Sequence, residues 1–125
     1  MLEGDPPRIW VGVLRIEVLV PGARSLKDRR QTVRSVRDRM RSRFEVTVHE
    51  VGTGSDPGRQ TLVITTAGND AAPIRSVLDR CGDLVRRHAV ASVGRVDVDV
   101  FRWHPPEDRW AARMMEELGE ENDLG

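Results

Sequence analysis

Arg8-Ile9-Trp10-Val11-Gly12-Val13-Leu14-Arg15-Ile16-Glu17-Val18-Leu19-Val20-Pro21-Gly22-Ala23-Arg24-Ser25-Leu26-Lys27-Asp28-Arg29-Arg30 decides the fold, because its periodicity changes once and at a marked place. Up to Val20 the pattern alternates. Trp10, Gly12, Leu14, Ile16, Val18 and Val20 share one face of a strand, and Val11, Val13, Arg15, Glu17 and Leu19 share the other. Pro21-Gly22 ends the strand. Ser25 is then a good N-cap, with Asp28 three residues later at the positive end of a helix dipole. Leu26, Val33, Val36 and Met40 recur at helical spacing as far as Arg43.

The same alternation of periods continues outward. Phe44 to Val51 reads as a second strand, with Phe44, Val46 and Val48 inward and Glu45, Thr47 and His49 outward. Gly52 to Gly58 is rich in turn residues, and Arg59 to Ala67 is a third strand rich in β-branched side chains. Asn69 or Asp70 caps a second helix, with Pro73 tolerated in its first turn. Ile74, Val77, Leu78, Cys81, Leu84, Val85 and His88 form its apolar stripe. Val93 to Trp103 alternates again, Val96, Val98 and Val100 opposing Asp97, Asp99 and Phe101. The order βαββαβ predicts an α+β, ferredoxin-like sandwich: a four-stranded antiparallel sheet with two helices on one face. The division expected is a domain over residues 1–104 and an acidic tail over 105–125. Glu107 to Leu118 of that tail can form a short amphipathic helix through Trp110, Ala111, Met114 and Leu118.

The chain has 125 residues, 38% apolar and 32% charged, which suits a single domain with its own core. Its one cysteine, Cys81, excludes an internal disulfide and fits a reducing compartment. The first seven residues lack the basic start and apolar run of a secretory signal, and no stretch approaches the length of a membrane span. The expectation is a cytoplasmic protein with no membrane partner.

A net charge of zero conceals a strong separation. Arg24 to Arg43 carries nine basic residues against two acidic ones, whereas Pro105 to Gly125 carries seven acidic residues against two basic ones. Such polarity fits a basic face for a polyanion and an acidic tail that shields it. On a helical wheel Arg37, Arg30, Arg41, Arg34 and Lys27 fall within an arc of about 80° beside the apolar sector. A row of guanidinium groups matches a phosphate backbone, so Lys27, Arg30, Arg34, Arg37 and Arg41 are the candidate nucleic-acid-binding residues. The competing reading is a solvated flank whose arginine stems cover the sheet edge. Lys27 is the only lysine in a chain that otherwise uses arginine.

Other surfaces and residue types offer less. The sheet face away from the helices is expected to carry Arg15, Glu17, Glu45, Thr47, His49, Thr61, Val63, Thr65, Asp97, Asp99 and Phe101. With one aromatic and four carboxylates, it is poorly suited to stacking RNA bases. It suits pairing instead, Arg15 standing opposite Asp97 or Asp99, and Phe101 and Trp103 at one end can anchor a homodimer or, equally, cap the core. His49, His88 and His104 lie on different elements without ligand spacing, so no metal site is expected. Cys81 reads as a core residue. Gly52-Thr53-Gly54-Ser55 precedes a strand, not the helix a phosphate loop requires.

Val11 to Glu17, Pro21-Gly22, Ser25-Leu26-Lys27, Arg29-Arg30 and Phe44 to Val48 resemble the bacterial YlxP-like family of uncharacterised proteins, over about residues 10 to 100. The resemblance implies a ferredoxin-like fold. It also implies a gene commonly placed beside translation-initiation and ribosome-maturation genes, and Lys27 and Arg30 as the family's basic signature. The loop Gly52 to Gly58 is shorter than in relatives and lacks their aromatic residue, and the acidic tail extends past the family core. Acylphosphatases share the element order, but Pro21-Gly22-Ala23-Arg24 does not match their glycine-rich phosphate cradle.

The function expected is therefore a non-catalytic, RNA-binding accessory of translation or small-subunit maturation. It would have RNA or a ribosomal subunit as partner, no cofactor and no small-molecule substrate. The alternative is a homodimeric protein-interaction module.

Overall fold

A computed structural model describes residues 6–52, 55–106 and 113–119. Apolar residues at alternate positions of Ile9–Leu19 make strand β1, whose buried row is Gly12, Leu14, Ile16 and Val18. Pro21-Gly22 then turns the chain. Ala23 N–H donates to the Val20 carbonyl at 3.1 Å, and Gly22 takes a φ of +82°, which a side chain would oppose. Helix α1 (Leu26–Arg43) starts at Ser25, whose Oγ accepts from Asp28 N–H at 3.2 Å. The Asp28 carboxylate in turn accepts from Arg24 N–H at 3.0 Å, so the residue before the cap is tied to the first turn as well.

The remaining elements are β2 (Thr47–Val51), β3 (Arg59–Gly68), α2 (Ala71–Arg86) and β4 (Ser92–Trp103). They complete a four-stranded antiparallel sheet in the order β2-β3-β1-β4, consistent with the ferredoxin-like arrangement expected. β1 pairs with β3 from Trp10↔Gly68 to Leu19↔Arg59, and with β4 from Ile9↔Trp103 to Leu19↔Ser92. Both helices lie on one face. Val33, Val36 and Met40 of α1, with Ile74, Leu78, Cys81 and Val85 of α2, close the core over Leu14, Ile16, Leu62 and Ile64. Gly12 is where α2 comes nearest the sheet: a Cβ built there would lie 2.4 Å from Ile74 Cγ2 and 2.8 Å from Leu78 Cδ1.

Three details differ from the sequence reading. α2 ends at Arg86 with Arg87 as its C-cap, so His88, expected to close its apolar stripe, lies beyond the helix. The second strand begins at Thr47, not Phe44, because Phe44 is the extended C-cap of α1, its N–H donating to the Met40 carbonyl at 3.0 Å. β3 partners start only at Thr47↔Thr65, and the Glu45 carbonyl is met by the Thr66 hydroxyl at 3.0 Å. Leu26, assigned to the apolar stripe, is exposed, whereas Arg29 is buried. At 100° per residue Arg29 falls between Val36 and Met40, inside the apolar sector. Its guanidinium donates to the Asp56 carbonyl at 2.9 Å, tying the turn before β3 to α1.

Of the tail, residues 113–119 are helical and largely exposed. Residues 107–112 and 120–125, on which the rest of the tail expectation falls, lie outside the described residues.

Candidate nucleic-acid interface

α1 holds the five basic residues in a line about 21 Å long from Lys27 to Arg41, at a rise of 1.5 Å per residue. Capping by Ser25 and Asp28 fixes where the helix begins, and the burial of Val33, Val36 and Met40 fixes its rotation about its axis. Lys27, Arg30, Arg34 and Arg41 are exposed, and none of them enters an ion pair among the described residues. Arg37 differs. Its side chain keeps 28% of its accessible surface and pairs with Glu50 on β2 at 3.3 Å and with Asp38 at 3.8 Å. Arg30, Arg34 and Arg37 meet Arg29 and Glu50 in a groove of about 170 Å³ between α1 and the sheet edge. The structure thus brings three of the five predicted residues to one groove, with Lys27 and Arg41 outside its lining. Arg37 is already neutralised there by Glu50.

The open sheet face carries its own charge balance. Arg15 stands opposite Asp97 in the register and donates to its Oδ2 from Nε at 2.9 Å and from a terminal nitrogen as well. Arg95 adds a third donor at 3.0 Å. The hydrogen bond from Arg15 is the main cause holding Asp97 below the usual carboxylate range. Arg59 pairs with Glu17 at 3.5 Å and Asp56 at 3.2 Å. Pairs this exposed add little stability, but they leave few free charges on the face. One end is apolar, where Ile9 lies opposite Trp103 and Val11 opposite Phe101, with Ile9 and Phe101 both exposed.

His88 is structural. Its Nδ1 accepts from Val90 N–H and Ala91 N–H, both at 3.1 Å, so the ring proton sits on Nε2 and is donated to Ser35 Oγ at 3.3 Å. Burial, and then the Arg39 charge, push its pKa below the ordinary 6.5. A lowered pKa means that the unfolded chain binds the proton more readily. The stability His88 contributes is therefore complete above about pH 6.5 and is lost as the pH falls towards the folded value. Urea unfolding should accordingly show a loss of stability as the pH falls below about 6.5 that is smaller in His88→Asn, which keeps an acceptor near Nδ1 but does not titrate. Equal losses in the two proteins would remove His88 from the account.

Cys81 is fully buried, and burial pushes its thiol up to about 11, so it is protonated at neutral pH and no nucleophile. No group of three or more His, Cys, Asp or Glu placed to hold a metal ion occurs among the described residues. None of their helices is long and apolar enough to cross a membrane.

A second concavity gathers arginines that the sequence reading assigned to no site. Arg39, Arg43 and Phe44 from the end of α1 face Arg80, Asp83, Leu84 and Arg87 from α2 across a cleft of about 550 Å³. On the α1 wheel Arg39 and Arg43 lie on the opposite side of the apolar sector from Arg30 and Arg34. That angle was available from the sequence; the arginines they face were not.

Residues 11–98 match a family model described as "Protein of unknown function (DUF503)". No curated protein matches the chain significantly. Among solved structures it is similar to a de novo designed protein, Foldit4, at 16% identity and TM-score 0.42, over 77% of this chain and 99% of that one. It is also similar to a C-terminal segment of the aIF2 alpha subunit from Pyrococcus abyssi, at 16% identity and TM-score 0.39, over 82% of this chain and 54% of that one. At this level of similarity neither bears on function.

Proposed function

This chain belongs to the DUF503 family of proteins of unknown function, and on that premise we propose that it is a non-catalytic RNA-binding protein of the cytoplasm, an accessory of translation or small-subunit maturation. The observation that carries the reading is the line of Lys27, Arg30, Arg34 and Arg41, all exposed and free of ion pairs among the described residues. A phosphate accepts paired hydrogen bonds from each guanidinium, and contact releases condensed counterions. Arg37 contributes by position, holding β2 against α1 through Glu50, and not by contacting phosphate. The resemblance to YlxP-like proteins, with their gene setting beside translation factors, supports ribosomal RNA as the partner.

Filter binding of the purified chain to ribosomal RNA and to small subunits over a range of salt tests this reading. Four phosphate contacts on a single strand should give a slope of about −3 in log affinity against log salt, at about 0.7 per contact. Association that is absent, or indifferent to salt, would refute it.

A second reading rests on the apolar end of the open sheet face, where Ile9 and Phe101 are exposed beside Val11 and Trp103. There a second copy would cover the patch and form a homodimer. Sedimentation equilibrium separates the two readings, since a monomer at high concentration removes the dimer.

A further inference from the structure

The cleft between α1 and α2 is lined by four arginines, Arg39, Arg43, Arg80 and Arg87, and by a single carboxylate, Asp83. Asp83 is taken: Arg86 donates to its Oδ1 at 3.1 Å. None of the four arginines enters an ion pair among the described residues. The cleft is distinct from the α1 flank discussed above, because Arg39 and Arg43 project from the other side of the helix.

Helix-end electrostatics explain only part of this set. Arg43 closes α1 and Arg87 is the C-cap of α2, where a cation faces the negative end of the dipole. Arg39 and Arg80 lie a turn or more inside their helices and have no such reason. The two helix ends together supply about one negative charge, against four guanidinium charges. The cleft therefore keeps a clear positive excess. Four like charges around one cavity repel one another unless an anion sits among them. The volume is that of a small-ligand site, and Phe44 and Leu84 add an apolar wall.

We propose that this cleft is a binding site for linked phosphate groups, carried by a free oligophosphate or nucleotide or by consecutive phosphates of an RNA strand. Planar guanidinium forks on both walls can take separate phosphates bidentately, so a ligand bearing two or more joined phosphates engages arginines of α1 and α2 together. A single phosphate reaches fewer of them. The site stands whether or not RNA binds the Arg30–Arg34 flank.

Isothermal titration calorimetry of the full chain with pyrophosphate, a nucleoside triphosphate and inorganic phosphate tests it. Saturable binding is expected for the first two, about tenfold or more tighter than for inorganic phosphate. Arg39→Ala/Arg80→Ala should weaken it about tenfold or more, and Arg30→Glu/Arg34→Glu by much less. If thermal melting shows that the first pair disturbs the fold, Arg43→Gln/Arg87→Gln serves in its place. No saturable binding would overturn the proposal, as would equal losses in the cleft and flank variants, which would reveal only a diffuse positive field. In a competition arm, displacement of bound RNA by pyrophosphate assigns the cleft to the RNA strand. Simultaneous binding of both assigns it to a free ligand. Either result supports the site.

Discussion

Arg30→Glu/Arg34→Glu is expected to bind RNA about a hundredfold more weakly than the unaltered chain, with its fold intact. Each arginine–phosphate contact is taken at roughly 1.5 kcal/mol, the low end of the range for a charge-assisted hydrogen bond, and two such contacts are lost. Both residues are exposed, and replacing them removes no ion pair among the described residues. The salt slope should also fall by about 0.7 unit for each contact removed. The control is Arg37→Gln, whose partner is Glu50. It should alter stability more than RNA affinity, and the reverse ranking would mean that Arg37 leaves Glu50 for phosphate. Filter binding of the three proteins at two salt concentrations measures all of this. If the double reversal left affinity within about twofold, the α1 flank would not be the RNA contact.

Gly12→Val should destabilise the fold by about 3 kcal/mol, lowering the melting temperature by roughly 10 °C. β1 and α2 approach each other at Gly12 more closely than a side chain permits. Ile74 and Leu78 occupy successive turns of α2 above it and are both buried, so neither can swing into solvent. Room for a larger residue comes only from lifting the helix or forcing side chains off their rotamers. Gly12→Ala should cost less, about 1–2 kcal/mol. Adding Ile74→Ala to it should cost less than the two single effects together, because the space the alanine methyl needs is vacated. Chemical denaturation of the set gives the answer, and a Gly12→Val change within about 0.5 kcal/mol of wild type would mean that the helix is not seated as described.

These two predictions differ in how far the residues announce them. Arg30 and Arg34 are placed by the wheel alone, since their angle to Val33, Val36 and Met40 follows from helix geometry. Gly12 appears in the sequence as a gap in the core-facing row of β1, with no sign of what fills it. Ile74 and Leu78 are more than sixty positions away, and they reach the gap only because α2 packs across the sheet. Arg29 is an intermediate case. The wheel puts it in the apolar sector, but the carbonyl it meets belongs to the turn before β3.

The element order, the Ser25 cap, the Pro21-Gly22 turn and the inner rows of the strands are all legible from residues near one another in the chain. Each is governed by forces acting within a turn or between alternate positions: capping hydrogen bonds, positive φ at glycine, and the separation of apolar from polar side chains. Which charges remain available could not be read that way. A wheel gives a side chain's angle about its own helix and nothing about the neighbour occupying that angle. Arg37 falls in the same arc as Arg30, yet β2 brings Glu50 to it and removes it from the free set. Arg39 and Arg43 look like ordinary exposed charges until α2 sets Arg80 and Arg87 across from them, and four separate arginines become one cleft. The physical reason is range. Local periodicity selects helix and strand, whereas the pairing and accumulation of charge depend on side chains that only packing brings within a few ångströms.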